Sequence, residues 1–416
     1  MTTEPTGTPE PNGTTRPAAR LSRRTLLTGG AGLAGLGVGA AAVGLGRGVI
    51  SPDPAAGVGT VPFYGEHQSG ITTHAPAHAQ YVGLDLVDPS DVSTFAGVLA
   101  LWTQDAARLT QGEPSLSDTE PELARIPSNL TVTVGVGDRA FRAKQLAPHR
   151  PSWLKPLPPF SIDRLDPRWG QTDLLLQLCA DDPVTLAHAT RMLTASVRRS
   201  ARVRWVQRGF RNSPGMATGT MRNLFGQVDG TVQPPSDSFD KLLWNDGREQ
   251  SWMAGGTSLV LRRIAMNMDT WEGIDRRGRE LSTGRTLDNG APLTGSDEFD
   301  QPNFAATRGG IPVIPASSHI ARAHRRSEAE QFLRRAYNYD DPPEPGSSDT
   351  SNSGLIFAAY QADPVTQYVP VQQRLADHDD LNVWTTPIGS AVYAVLPGAT
   401  ESHPLGATLW NVAGNS

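Results

Sequence analysis

The sequence predicts an α+β protein built from two similar halves, each a mainly antiparallel sheet carrying helices on one side. Three observations predict it. Short runs rich in β-branched residues, bounded by Gly or Pro, alternate with longer helix-like segments. Two strand–turn–helix units recur at a single offset of 181 residues. The apolar content of 38% with 19% charged residues is that of a folded soluble chain, and 416 residues suffice for two or three domains.

The elements follow in chain order. Residues 1–20 are polar and rich in Pro, Thr and Gly, and the text then reads LSRRTLLTGGAGLAGLGVGAAAVGLG. Arg23 and Arg24 precede an Ala/Gly/Leu/Val run that carries no charge until Arg47. This pattern reads as a twin-arginine export signal. The run nears the roughly 20 residues that span a bilayer, so an uncleaved anchor stays open. Its glycines make it weakly hydrophobic and a poor helix former. Residues 1–50 are therefore set apart as a leader, with Ala40 to Ala42 the best small-residue cluster for cleavage. The expected location is extracytoplasmic, secreted or associated with the envelope, with the twin-arginine export machinery as a partner. That machinery usually carries proteins that fold or load a cofactor first, which hints at a prosthetic group.

The remainder divides at about residue 220, into units 57–220 and 221–416. LLLQLCADDPVT (174–185) lines up with LIFAAYQADPVT (355–366). Both are apolar strand-like runs ending in Asp-Pro-Val-Thr, a stop followed by a helix-like stretch. At the same offset AQYVGLDLVD (79–88) matches VLRRIAMNMD (260–269) in alternation and in its final aspartate. Further strands are expected at 130–137, 256–266 and 390–398, and helices at 91–111, 183–199 and 327–338. The stretches 142–172 and 276–315, rich in Pro, Gly, Asp and Arg, read as long functional surface loops.

Composition excludes several function classes. With 37 basic against 42 acidic residues the formal charge is −5, which argues against general nucleic-acid affinity. The only cysteine, Cys179, can form neither an intramolecular disulfide nor a cysteine cluster for a metal, and reads as a buried apolar filler. None of the nine histidines stands in a metal-binding spacing such as HExxH. No G-x-S-x-G elbow, GxGxxG fingerprint or GxxxxGK[ST] loop occurs.

Three stretches remain. GQVDG (226–230) holds Asp229 between glycines, either as a turn residue or as a carboxylate on a backbone that approaches something flat. IPASSHIARAHRR holds His319, and FLRRAYNYDD holds Arg334 and Arg335. In that order and spacing they resemble the signature of the dye-decolourising haem peroxidases. GEHQSGI (65–71), DLLLQLCADD and GTSLVLRRIAMNMDTW (256–271) are similar to the same family, so the resemblance runs from about residue 60 to the end. The leader is similar to that of the exported branch, which includes deferrochelatase-type proteins.

The resemblance implies two ferredoxin-like domains with haem b (iron protoporphyrin IX) held by the C-terminal one. It implies a peroxidase that reduces hydrogen peroxide and oxidises dyes, phenols or another, unidentified electron donor through a ferryl intermediate. The alternative within the family is an exported haem- or iron-handling protein with weak peroxidase activity. Carried over residue by residue, His319 is the proximal iron ligand, Asp229 the distal acid–base and Arg334 the distal arginine. Gly226 and Gly230 would let the backbone pass close to the porphyrin. Asp379 would support the proximal imidazole, with Asp377 and Asp380 close enough to compete. The family often shows His-Ile-Arg and a later Pro. Here the text is His-Ile-Ala-Arg, with Arg325 in the proline's place, so any propionate contact passes to Arg322. Tyr337, Tyr339 and Trp384 are candidate electron relays to the surface. A homo-oligomer is compatible with all of this.

These residue types suit the chemistry. A neutral imidazole is the usual axial donor of peroxidases, and a carboxylate on its other N–H makes it more electron-donating. An arginine, always protonated, stabilises charge on the departing peroxide oxygen, and a short carboxylate relays the proton.

Overall fold

The computed structural model describes residues 59–216 and 219–414, so the leader lies outside the described residues. The first half contributes β1 (His78–Leu86), α1 (Val92–Leu109), β2 (Thr131–Val136), β3 (Leu174–Ala180), α2 (Pro183–Ser196) and β4 (Ala201–Phe210). The second contributes α3 (Phe239–Leu242), β5 (Thr257–Met266), α4 (Met268–Glu272) and α5 (Arg276–Thr283). There follow the hairpin strands β6 (Thr307–Arg308) and β7 (Ile311–Pro312), then α6 (His319–Ala323), β8 (Leu333–Arg334), β9 (Tyr337–Asp341), β10 (Asn352–Gln361), α7 (Tyr368–His378), β11 (Thr385–Val395) and α8 (Ala407–Gly414).

Local chemistry explains the two helices of the first half. Asp91 caps α1 by accepting from the Ser93 and Thr94 backbone N–H groups. Phe95, Val98, Leu99, Trp102, Ala106 and Leu109 then fall on one buried face at helical spacing. Trp102 is wholly buried and its indole N–H donates to Leu193 O of α2 at 2.8 Å, which ties the two helices together. Asp182 caps α2 through Thr185 N at 2.7 Å, with Pro183 as the first helical residue. In the second half the same Asp-Pro-Val-Thr text forms a turn, and α7 begins only at Tyr368.

All sheet pairings are antiparallel. The first half has the order β2-β3-β1-β4, and the second the order β11-β5-β10-β9. The strands that share the 181-residue offset, β1 with β5 and β3 with β10, hold equivalent places in those orders. The halves meet edge to edge at two short seams. Phe210 of β4 pairs with Asn338 of β9, and Val136 and Gly135 of β2 pair with Ala394 and Val395 of β11. Side-chain amides extend the second seam. Gln68 bonds the N–H and C=O of Val134 as well as Leu396 O, and Gln171 bonds the N–H and C=O of Val392.

The ring of strands thus has an inner and an outer face. Tyr81, Cys179, Trp205, Leu261, Tyr337, Tyr360 and Tyr393 pack together on one face, and Val82, Leu84, Leu176 and Val260 face the helical layers. Cys179 is a free, buried filler.

The helix expected at 327–338 does not form. Leu333 and Arg334 instead pair with Tyr360 and Ala359 of β10, and Tyr337–Asp341 pairs with β10 further along. The sheet edge offers these residues backbone partners that outweigh helix propensity. The 276–315 segment is less irregular than its composition suggests, since it holds α5 and the β6–β7 hairpin.

Candidate functional site

GQVDG closes a tight hairpin. Gly226 N donates to Asn223 O at 2.9 Å, Asn223 N to Gln227 O at 3.0 Å and Asp229 N to Met221 O at 2.8 Å. Gly226 and Gly230 take φ of +80° and +118°, a region L side chains rarely adopt. No described atom lies within 4 Å of where a Cβ at Gly226 would stand, so backbone handedness, rather than crowding by the protein, calls for glycine there. Phe225 anchors the hairpin by stacking on Trp271 at 4.3 Å between ring centroids, and the Trp271 indole donates to Phe225 O. The segment after α5 supports it from behind: a Cβ on Gly290 would stand 2.7 Å from Val228 Cβ.

Asp229 leaves this hairpin at its base and meets Arg334 of β8. Arg334 Nη1 lies 3.4 Å from Asp229 Oδ1, and Nη2 donates to Val232 O at 3.0 Å. Asn223 Nδ2 approaches the other Asp229 oxygen at 3.3 Å. Both charged side chains keep a small open face, 17% for Asp229 and 23% for Arg334. Arg335, one residue on, points the opposite way and donates to Thr73 O and His74 O in the interior. Alternation along a strand separates the two arginines of FLRRAYN.

His319 begins α6, directly after Ser318. Its Nδ1 lies 2.6 Å from Asp379 Oδ2, and Asp379 is buried at the end of α7, where its other oxygen accepts from Leu381 N at 3.0 Å. The neighbouring acids are committed elsewhere. Asp380 accepts from Ser317 Oγ at 2.9 Å and Asp377 from Gln373 Nε2 at 2.7 Å. Of the three acids weighed from the sequence, Asp379 therefore faces the imidazole. With Nδ1–H given to that carboxylate, Nε2 is left as the lone-pair nitrogen. The ring sits deep, yet 36% of its side-chain surface stays open. Burial pushes the imidazole toward neutrality, but the Asp379 charge and hydrogen bond more than offset it, so its pKa is raised. Asp229 and Arg334 also act on that charge, in opposite directions, which puts all four groups in one electrostatic neighbourhood.

Gly284, the left-handed cap of α5, packs against this turn, since a Cβ there would lie 2.7 Å from Ile320 Cγ1. One turn along α6, Arg322 has a buried Nε with no partner among the described residues, as does Thr231 Oγ1 beside Gly230. His324 is exposed and lies against Phe304.

Two expected relay residues do not reach the surface. Tyr337 and Tyr339 are wholly buried, with Arg211 and Arg263 stacked on their rings at 4.7 and 3.6 Å. Trp384 is half-buried and meets Trp271 edge to face at 5.3 Å. Sequence reasoning missed Asn223, and it missed Arg285, a buried guanidinium that donates to Gly290 O and Glu298 O and senses the Arg334 charge. Neither carries a motif, and only the folded loops bring them in.

Comparison with known proteins gives a consistent result. Residues 68–211 match the family model "Dyp-type peroxidase, N-terminal" and residues 220–400 match "Dyp-type peroxidase, C-terminal". The chain is 38% identical over 362 residues to the dye-decolorizing peroxidase of Thermobifida fusca (strain YX), covering 82% of this chain and 83% of the relative. It is 33% identical over 385 residues to the deferrochelatase of Escherichia coli (strain K12), covering 86% and 88%. Among solved structures, a DyP-type peroxidase from Cellulomonas bogoriensis superposes with a TM-score of 0.83 at 51% identity, covering 85% of this chain and 98% of that one. Ferric DtpA from Streptomyces lividans superposes with a TM-score of 0.82 at 37% identity, covering 86% and 100%.

Proposed function

We propose a division of labour among the site residues from the premise that this chain belongs to the Dyp-type peroxidase family and is a haem-dependent peroxidase. The residues present fit haem b. His319 would hold its iron through Nε2, with Asp379 holding the ring's Nδ1–H. The unpartnered Nε of Arg322 and hydroxyl of Thr231 are polar groups that a carboxylate-bearing ligand would satisfy.

Bound haem supplies the redox chemistry with hydrogen peroxide. Asp229 takes the proton from one peroxide oxygen and returns it to the other, which leaves as water. Arg334 stabilises the negative charge that grows on the departing oxygen. Asp379 keeps the His319 imidazole in one tautomer and electron-rich. The observation that carries this reading is the contact of Asp229 with Arg334 at 3.4 Å, within the electrostatic reach of a histidine pinned by a buried carboxylate. The test is rapid-mixing absorption after peroxide addition in wild type, Asp229→Ala and Arg334→Leu. Losing one charge-stabilising donor worth about 3 kcal/mol should slow the Arg334→Leu reaction by about 10²-fold or more. Asp229→Ala should cost less, because water can relay a proton. Haem should stay bound in both, and equal rates in all three would overturn the assignment.

The electron donor is a dye, phenol or other reductant oxidised in the following steps. A second reading, removal of iron from haem, rests on the likeness to proteins named deferrochelatase. Release of iron with the tetrapyrrole intact, faster than peroxide turnover, would favour it. We read the halves 57–220 and 221–416 as two ferredoxin-like domains with haem held by the second. The matching strand orders and the origin of His319, Asp229, Arg334 and Asp379 in the second half support this. The Arg23–Arg24 leader supports export by the twin-arginine route to an extracytoplasmic location.

A further inference from the structure

We propose that Gln233 is a positioning residue whose side-chain amide holds the backbone of Arg334 and thereby aims the guanidinium at Asp229. This rests on the peroxidase reading above. β8 has only two residues, and its regular pairing is to β10 on one side. On the other side Gln233 takes the place of a strand. Its Oε1 accepts from Arg334 N–H at 2.9 Å and its Nε2 donates to Arg334 C=O at 3.0 Å. That reciprocal pair is what a neighbouring backbone would offer in an antiparallel ladder.

The rung matters because of what lies on either side of it. Arg334 and Arg335 leave the chain in opposite directions, the first toward Asp229 and the second to the interior carbonyls of Thr73 and His74. A twist of this short strand would move the Arg334 guanidinium off its target. Of the guanidinium's own tethers, the one to Asp229 is long at 3.4 Å, and the ordinary one, to Val232 O at 3.0 Å, comes from the same loop as Gln233. Asp229, Val232 and Gln233 belong to one five-residue stretch, so a single loop presents the proton relay and locks the charge stabiliser. Pro234 and Pro235 follow at once, and a proline confines the preceding residue to extended backbone. The proline pair thus disfavours a helical turn at Gln233, whose amide lies along β8. Loss of the two amide hydrogen bonds is felt at the site through geometry, because misplacing a catalytic group by about 1 Å can cost 10²-fold in rate.

The test uses the haem-loaded protein and Gln233→Met, which keeps the side-chain volume and removes both bonds. Hydrogen exchange at the Arg334 amide should quicken at least about tenfold, while the Arg335 amide, bonded to Ala358 O at 2.8 Å, keeps its protection. Peroxide cleavage, followed by rapid mixing before any dye is added, should slow about tenfold. In an Arg334→Leu background Gln233→Met should add no more than a twofold change, since a residue that acts only through Arg334 has nothing left to position. Unchanged exchange at Arg334, or an additive slowing in the double variant, overturns the proposal. If Arg334→Leu itself leaves peroxide cleavage untouched, the peroxidase assignment of Arg334 falls, and the exchange measurement still decides whether Gln233 holds β8. Should Gln233→Met fail to fold, Gln233→Ala, which also removes both bonds, is measured in the same way, with the same loss of protection expected and none overturning the proposal.

Discussion

Replacing Asp379 with Asn tests the His319 half of the site through quantities the structure supplies. The carboxylate is nearly sealed from solvent, 4% exposed, and meets two donors, His319 Nδ1–H at 2.6 Å and Leu381 N–H at 3.0 Å. An amide has one oxygen and one NH2, so either one donor loses its acceptor or the imidazole switches tautomer and accepts from the NH2 at Nδ1. A hydrogen bond to a charged acceptor is worth about 1.5–3 kcal/mol and a neutral one about 0.5–1.5. The lost charge alone therefore removes about 1–1.5 kcal/mol from the imidazole's support, roughly tenfold in haem affinity, near the low end for such outer partners of a metal ligand. Titration of haem into the purified variant measures it. A second readout comes from the haem-free protein. In wild type the folded-state pKa of His319 is raised, because Asp379 outweighs burial. The stability this contributes is fully present below the unfolded value of about 6.5 and is lost as pH rises through the higher folded value. In Asp379→Asn burial is left largely unopposed, the folded pKa falls below the unfolded one, and the sign reverses. The histidine's contribution is then present above about pH 6.5 and fades as pH drops. NMR titration of the His319 ring should show the crossing. An unchanged titration together with haem affinity within twofold of wild type would refute the assignment of Asp379.

Two further outcomes follow from the same geometry and sequence. His319→Ala should abolish or severely weaken haem retention, whereas His324→Ala, at an exposed ring five residues on, should leave the haem spectrum and stoichiometry unchanged; a full complement of haem in the first variant would remove His319 from the axial position. Arg23→Lys with Arg24→Lys should leave the folded protein in the cytoplasm, and cell fractionation showing normal export of that double variant would discard the twin-arginine reading.

What was legible in the sequence divides along physical lines. The first-half helices and most strands announced themselves because capping aspartates and apolar periodicity are local signals. The 181-residue offset was legible because β3 and β10 are both apolar runs stopped by Asp-Pro. The strands β8 and β9 were hidden, since SEAEQFLRRAYN has helix-like composition and its pairing partners lie some 20 residues further on. A longer separation hid Gln233. Nothing in VDGTVQPP says that its amide will complete a strand a hundred residues away, and the only trace is the proline pair that restricts its backbone.

His319, Asp229 and Arg334 were readable as a spaced set, but which acid faces His319 was not. Asp377, Asp379 and Asp380 are near-equivalent as text, and only the end of α7 separates them. Asp377 stays on the helix within reach of Gln373. Asp379 stands at the helix's C-terminal cap, where the chain turns extended and the side chain swings under α6. Asp380 is then carried on to Ser317. The helix terminus thus selects the acid that faces His319, and Ser317 ties the start of the His319 turn to the same corner. The Asp229 side of the site is held in the same manner, by one loop that carries Asp229 and grips Arg334. Each half of the site is therefore a pair of residues distant in sequence, held by a short local structure, and a peroxidase assembled this way should lose activity from changes at Gln233 or Asp379 well before it loses its fold.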